Sequence, residues 1–320
     1  MHDMTLTHRM LGRGKRTFAV AGLGVAALAL AACGAGSDPL AEPSTETGGS
    51  GGTAGAIIVG SADFTESQIL GELYAQAIKA KGGDASTKPG IGSREVYIKA
   101  LQDNSVSVVP EYTGNLLLHF DPAATATTEA EIASALPSAV GSDLTVLEPS
   151  RAQDQDVYVV TKQTSQEKGI TSLDDLKKIS ATSILGGPAE LQDRAYGPPG
   201  LEKIYGAKFQ QFKPYASPAV KVKDLNGNKI QVASFFTTEA AIPDNGYVKL
   251  DDPQSMILPQ NVVPLVRADV ASDTTAVEAI NAVQKALTTE ELTALNTSVD
   301  ADNSDPDQVA AEWLKAKGLA

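Results

Sequence analysis

The sequence predicts an α/β fold in two lobes, and three observations carry the prediction. Short apolar runs alternate with segments of helical period from Ala56 onward, Gly and Pro clusters separate them, and 42% of the 320 residues are hydrophobic, enough for the cores of about two domains. In chain order, "AIIVGS" is a short buried strand. "TESQ" at Thr65 to Gln68 has capping-box spacing, and Ile69, Leu70, Leu73, Ala77 and Ile78 then recur at helical period until Gly82-Gly83. A second unit follows, with a turn at Gly90-Ile91-Gly92, a helix across "SREVYIKALQD" and the strand "VSVV" before Tyr112. Repetition of β then α at this spacing argues for a largely parallel sheet. "DVYVVTK" from Asp156 is another strand, leading to a capped helix at "TSLDDLKK" and a loop-rich passage, "GGPAELQDRAYGPPGLEKIYG". "FQQF", a helix near "SPAVKVKDL", the turn "NGN" and the strand "KIQVASFF" complete a second α/β lobe. "NVVPLV" is a further strand, and helices led by Asp273, Thr288 and Ser304-Asp305-Pro306 end the chain, the last with the only tryptophan, Trp313, which is expected to pack.

The N-terminus reads separately. Arg9, Arg13, Lys15 and Arg16 precede the apolar run "FAVAGLGVAALALAA", which is too short for a comfortable membrane span and has the layout of an export signal over residues 1–32. Leu30-Ala31-Ala32-Cys33 resembles a bacterial lipobox, which implies a lipidated Cys33 and a chain anchored to the outer face of the bacterial cytoplasmic membrane; an ordinary secretory signal is the alternative. Cys33 is the only cysteine, so no disulfide staples the fold. Residues 33–55 are rich in Gly, Ser, Thr and Pro without apolar periodicity, the composition of a flexible tether.

Charge and residue inventory narrow the function. The chain carries −13, and residues 1–32 hold four basic side chains against Asp3, so the remainder is more acidic still. Such a surface repels phosphate backbones, which argues against a nucleic-acid partner; there is no basic stripe, P-loop or internal repeat. Of three histidines only His119 lies beyond the signal segment, at a turn beside Phe120 and Asp121-Pro122, where it reads as a surface residue. No Ser-His-Asp or Cys-His set, no zinc-ligand cluster and no singled-out carboxylate pair emerges, so neither an enzyme nor a metal or cofactor site is expected. A binding role asks only for a cleft, some aromatic faces and a few polar anchors.

The runs "IIVGSADFTESQILGELYAQAIKAKG", "GIGSREVYIKAL", "VVPEYTGNLL", "RAYGPPGLEKIYG" and "FFTTEA" resemble the substrate-binding proteins of ABC importers for glycine betaine, carnitine, choline and related osmoprotectants. The resemblance covers Ile57 to Trp313, and "FTES" about 45 residues before Tyr-Thr-Gly is its most specific feature. It implies a two-lobed periplasmic-binding-protein fold of type II, with two chain crossings near Gln155 and Pro259. Lobe one is then 56–155 plus 260–320 and lobe two 156–259. It further implies a monomer serving ABC permease subunits, with a cationic head group held by aromatic faces and a carboxylate.

Tyr112 ends a strand, and clefts in α/β lobes lie beyond the carboxyl ends of strands, so it points to the cleft, with core filling as the alternative. By resemblance, Tyr158 with Asp156 before it forms a second wall, although an alternating strand would equally bury Tyr158 in the core. Phe236 takes the place of a third cage aromatic, with Phe235 on the opposite strand face. Gln260 stands where a fourth ring is common. Arg194 and Asn115 match carboxylate anchors, with a structural tie of its loop as the other role for Arg194, and Ala62 replaces a frequent lysine. A cleft for a different small polar solute, or a lipid-anchored sensor or interaction module on the same lobes, remains the alternative function.

Overall fold

The computed structural model describes residues 56–300 and 304–320; the signal segment, Cys33 and the tether lie outside them. Ten strands follow in chain order among the described residues: β1 (Ile57–Gly60), β2 (Ala85–Lys88), β3 (Val108–Tyr112), β4 (Leu144–Val146), β5 (Asp156–Val160), β6 (Ile184–Gly187), β7 (Gln211–Pro214), β8 (Val232–Phe236), β9 (Val248–Lys249) and β10 (Val262–Arg267). They form two five-stranded sheets, ordered β2-β1-β3-β10-β4 and β7-β6-β8-β5-β9, each with helices against it, so the fold is α/β in two lobes.

Neither sheet is purely parallel. β1 pairs in parallel with β2 and β3, and β6 with β7 and β8, as the βα repeats predict, but β10 runs antiparallel to β3 and β4, and β5 antiparallel to β8 and β9. The reason is topological: β5 and β10 each enter their sheet directly from a crossing between lobes, at the end where their neighbours finish, so they run back against them. The registers Val262↔Tyr112 and Asp156↔Phe236 put the last residue of one strand beside the first of the next at both facing edges.

The helix α1 (Thr65–Ala80) buries Ile69, Leu70, Leu73, Tyr74 and Ile78 against the first sheet and the helices Thr274–Ala286 and Pro306–Lys317. Full burial of each such side chain contributes about 1.5–3 kcal/mol. Tyr74 joins this core without an orphan hydroxyl, because it donates to Gln284 Oε1 at 2.9 Å. Trp313 packs half-buried on the same cluster. Helix starts follow local chemistry at Asp273, which caps Ala276 N–H, and at Ser172, whose box with Asp175 opens a 3₁₀ turn over Leu173–Lys178 in place of a regular helix. The start of α1 departs from the expected capping box. Its N-cap is Phe64 with no side-chain cap; Thr65 donates instead to Asp300 at 2.7 Å, Glu66 is buried, and Ser67 Oγ accepts from Ala62 N–H. Among the described residues no helix is long and apolar enough to cross a membrane.

Two more helices position the site: α2 (Arg94–Gln102) and α3 (Thr113–Phe120), the latter starting where β3 ends. The segments that cross between the lobes pair with each other through the bridge Gln153↔Asn261, with Asp154 N–H donating to the Gln260 carbonyl and Val262 N–H to the Ala152 carbonyl. The first turn of α3 docks on one of them, where Gly114 N–H donates to the Pro259 carbonyl at 3.1 Å. A Cβ on Gly114 would lie 2.6 Å from that same oxygen and 2.6 Å from Leu258 Cβ, so the glycine of Tyr-Thr-Gly is required by close backbone approach. Gly114→Ala is therefore expected to cost about 1–3 kcal/mol, read as a lower urea midpoint with an unchanged slope.

Candidate functional site

The strand ends and the first turns of α2 and α3 meet between the lobes around a cavity of about 70 Å³. From the first lobe come Phe64, Arg94, Tyr97, Tyr112 and Asn115; from the second Asp156, Arg194, Tyr196 and Phe236. Five of the residues singled out in the sequence, Tyr112, Asn115, Asp156, Arg194 and Phe236, are thus brought together, and Ala62 lies in the same wall.

Tyr112 does two jobs at once. It packs in the core of the first lobe, 8% exposed, and presents its remaining surface to the cavity. Its hydroxyl donates to Glu66 Oε1 at 2.6 Å, which fixes the ring. Phe64 lies 6.3 Å from Tyr112 and 5.5 Å from Phe236, centroid to centroid, with interplanar angles near 30°, so the three rings form one tilted stack spanning both lobes.

Glu111, the carboxylate beside Tyr112, is wholly buried and accepts two bonds from Arg94, at 2.7 Å from Nε and 2.9 Å from Nη2, and a third from Tyr97 at 2.7 Å. Burial works against the Arg94 charge, and the Glu111 carboxylate more than restores it, so the guanidinium stays firmly protonated.

Asp156, at the mouth of β5, is pushed up to about 6 by burial, while a 3.1 Å bond from Asn115 Nδ2 and the nearby Arg94 and Arg194 charges pull the other way. Asn115 is itself held by Gln260, which accepts from its backbone N–H at 3.0 Å and donates to its Oδ1 at 2.8 Å. Arg194 bridges the lobes to Glu95 of α2 through Nη1 and Nη2, while its buried Nε has no protein partner. Below the cage, Glu66 accepts also from Thr238 of the second lobe at 2.9 Å and from Asn296. Burial pushes both Glu66 and its neighbour Asp154 up, and at Asp154 the adjoining Glu66 acts in the same direction.

Two sequence expectations need correction. Tyr158 does not line the cavity: it is 1% exposed within the second lobe's core, and its hydroxyl donates to the Tyr196 carbonyl at 2.7 Å. β5 runs away from the cleft, so residue 158 lies about 6.6 Å deeper than Asp156 at the strand rise. Gln260 offers no wall either, since it is fully buried and its amide is spent on Asn115. The wall they leave is supplied by Phe64 and Tyr196, which the sequence reading passed over although both sit inside quoted runs, "FTES" and "RAYG". Arg94 was equally readable, as a basic residue opening a helix just after Gly90-Ile91-Gly92.

Residues 55–316 match the family described as the substrate binding domain of ABC-type glycine betaine transport systems. The chain is 26% identical over 279 residues to the glycine betaine-binding protein YehZ of Escherichia coli K12, covering 83% of this chain and 92% of that one. It is 25% identical over 276 residues to a glycine-betaine-binding protein of Pseudomonas aeruginosa, covering 82% and 88%. Among solved structures, a glycine betaine/carnitine/choline ABC transporter protein superposes with TM-score 0.66 at 21% identity over 82% of this chain and 99% of that one, a likeness of fold. Lactococcal OpuAC, closed on glycine betaine, does so with TM-score 0.60 at 16% identity over 82% and 96%.

The Arg94–Glu111 pair yields a test of how the cage is braced. Glu111→Gln leaves the buried guanidinium without its counter-charge and is expected to destabilise the fold by about 3 kcal/mol, seen as a drop in the urea midpoint. A change below about 1 kcal/mol would mean that the pair is solvated and does not brace Tyr112.

Proposed function

The chain belongs to the family of substrate binding domains of ABC-type glycine betaine transport systems, and on that footing we propose that its cleft holds a quaternary amine of the glycine betaine, choline or carnitine type for delivery to an ABC permease. The observation that carries the reading is the stack of Phe64, Tyr112 and Phe236 with the Asp156 carboxyl in the same cavity wall. A quaternary ammonium has no N–H to donate, so a site attracts it only through ring faces and negative oxygens, at about 0.5–2 kcal/mol per ring. The buried, unpartnered Nε of Arg194 supplies a donor for the carboxylate of a betaine or carnitine.

The cavity is smaller than the roughly 300–1,000 Å³ usual for ligand sites, so the lobes are drawn together on the cage and a solute enters when they part about the two crossing segments. Outside the described residues, Cys33 is read as the lipid attachment that keeps the protein at the outer face of the membrane, and Cys33→Ala is expected to move it from the membrane to the soluble fraction after export. Retention in the membrane would end that reading.

Choline tests the cage, because it does not itself titrate. Phe236→Ala is expected to weaken choline binding about five- to thirtyfold in calorimetry, with little change in the melting of the empty protein. Wild-type protein that gives no binding heat with choline, glycine betaine or carnitine would refute the proposal. The same titration has a predicted pH course. Burial raises the Asp156 pKa to about 6, so in the empty protein its proton is bound below pH 6, and this group alone makes the fold more stable as pH falls from about 6 toward 4. A cation favours the ionised form, so choline affinity is expected to be flat above pH 7 and to fall toward tenfold per unit below 6. Asp156→Asn should abolish the slope.

A further inference from the structure

Beyond the Phe64–Phe236 contact the cleft continues into a second chamber of about 610 Å³, within the size range of small-molecule sites. The start of α1 and the residues Asn296 and Asp300 wall it from the first lobe; Glu190, Tyr215, Lys221 and Glu239 wall it from the second. It shares Phe64, Asp154, Glu190 and Phe236 with the cage, so the aromatic contact divides one cleft into two compartments.

The chamber is the more acidic of the two compartments. The chamber's walls hold six carboxyl groups, Asp63, Glu66, Asp154, Glu190, Glu239 and Asp300, against the single cation Lys221. Even with Glu66 and Asp154 keeping their protons, and Glu239 pushed up by burial against the pull of Lys221, the acids outnumber the base. Lys221 is already engaged: its ammonium donates to the Ser234 carbonyl at 2.8 Å and lies 3.8 Å from the centre of the Phe235 ring.

Acidity alone would describe any solvated face, but Asn296 adds an independent observation. It is 5% exposed, lines the chamber, and spends its amide N–H groups on Glu66 and on Thr238 Oγ1, at 3.1 Å for the latter. Those contacts leave its Oδ1 buried with no protein donor. A buried acceptor without a donor is costly, and no donor among the described residues reaches this one.

We infer that this chamber is a second cation subsite, one that takes a hydrogen-bond-donating cation, a primary ammonium or guanidinium group, through Asn296 Oδ1 and the carboxylates around Asp300. A trimethylammonium cannot fill this role, because it has no N–H to give Asn296. The solute range of the cleft then extends past small betaines to longer chains ending in an amine or guanidine. The inference rests on the cleft being the solute site, and not on the cage taking a quaternary amine.

Agmatine, which carries one guanidinium and one primary ammonium, is the probe for the chamber, and choline the probe for the cage. Both are titrated calorimetrically at low ionic strength into wild type, Asp300→Asn and Asn296→Leu, with a melting scan of each empty protein. The expected result is saturable agmatine binding to wild type, weakened at least tenfold in both variants, while Asp300→Asn binds choline within about twofold of wild type. If Asn296→Leu does not fold, Asp300→Asn carries the comparison alone. Agmatine that gives no heat, or binds the variants as it binds wild type, overturns the chamber whatever choline does. Wild type that gives no heat with choline, glycine betaine or carnitine while agmatine behaves as expected overturns the cage reading and leaves the chamber standing.

Discussion

The paired crossing segments hold the rest of the molecule in place. Residues 150–155 and 259–262 lie side by side about the single antiparallel bridge Gln153↔Asn261, with backbone bonds between Asp154 and Gln260 and between Val262 and Ala152. Because each segment leads straight into a sheet, their pairing sets β10 beside β3 and β5 beside β8, which fixes where the four strand ends lie. Tyr112, Asp156 and Phe236 are all terminal residues of those strands. The cleft therefore follows from the crossing: shift that ladder by one residue and the strand-borne side chains of the cage, Tyr112, Asp156 and Phe236, would turn away.

Around this frame, buried polar groups are arranged in layers. Glu111 holds Arg94 and Tyr97; Gln260 holds Asn115, which in turn bonds Asp156; Glu66 holds Tyr112 from below and reaches Thr238 in the other lobe. Arg94, Asn115 and Tyr112, which face the cavity, are thus each held from behind by a buried polar side chain. Such backing costs desolvation and returns fixed geometry, which the proposed cage for a trimethylammonium head needs, because that head offers no hydrogen bonds of its own to direct it.

Much of this was legible in the sequence. The first two βα units follow from helical period and glycine turns, and Tyr112 was placed at the cleft by its position after an apolar strand. Asn115, Asp156, Arg194 and Phe236 came from resemblance to a family, and they do meet at one cavity. The misses have physical causes. Tyr158 shares a strand with Asp156, and sequence gives the strand's alternation without saying how far each residue lies from the cleft. Thr65 has the pattern of a cap, yet tertiary contact with Asp300 and the burial of Glu66 override the local preference. Antiparallel β5 and β10 look no different from parallel strands until the crossings are known, and the second chamber is built by residues as distant as Asp63 and Asp300, which no local pattern connects.

The place of β10 has a consequence for how the chain assembles. This strand lies inside the first sheet, between β3 and β4, yet it is made only after the whole second lobe. As synthesis proceeds from the N-terminus, β5 to β9 can pair as soon as they emerge, while β3 and β4 wait with bare edges for a partner about 120 residues behind β4. The lobe that starts first is thus the one that finishes last, and any nascent fragment ending before Val262 carries a sheet split down its middle.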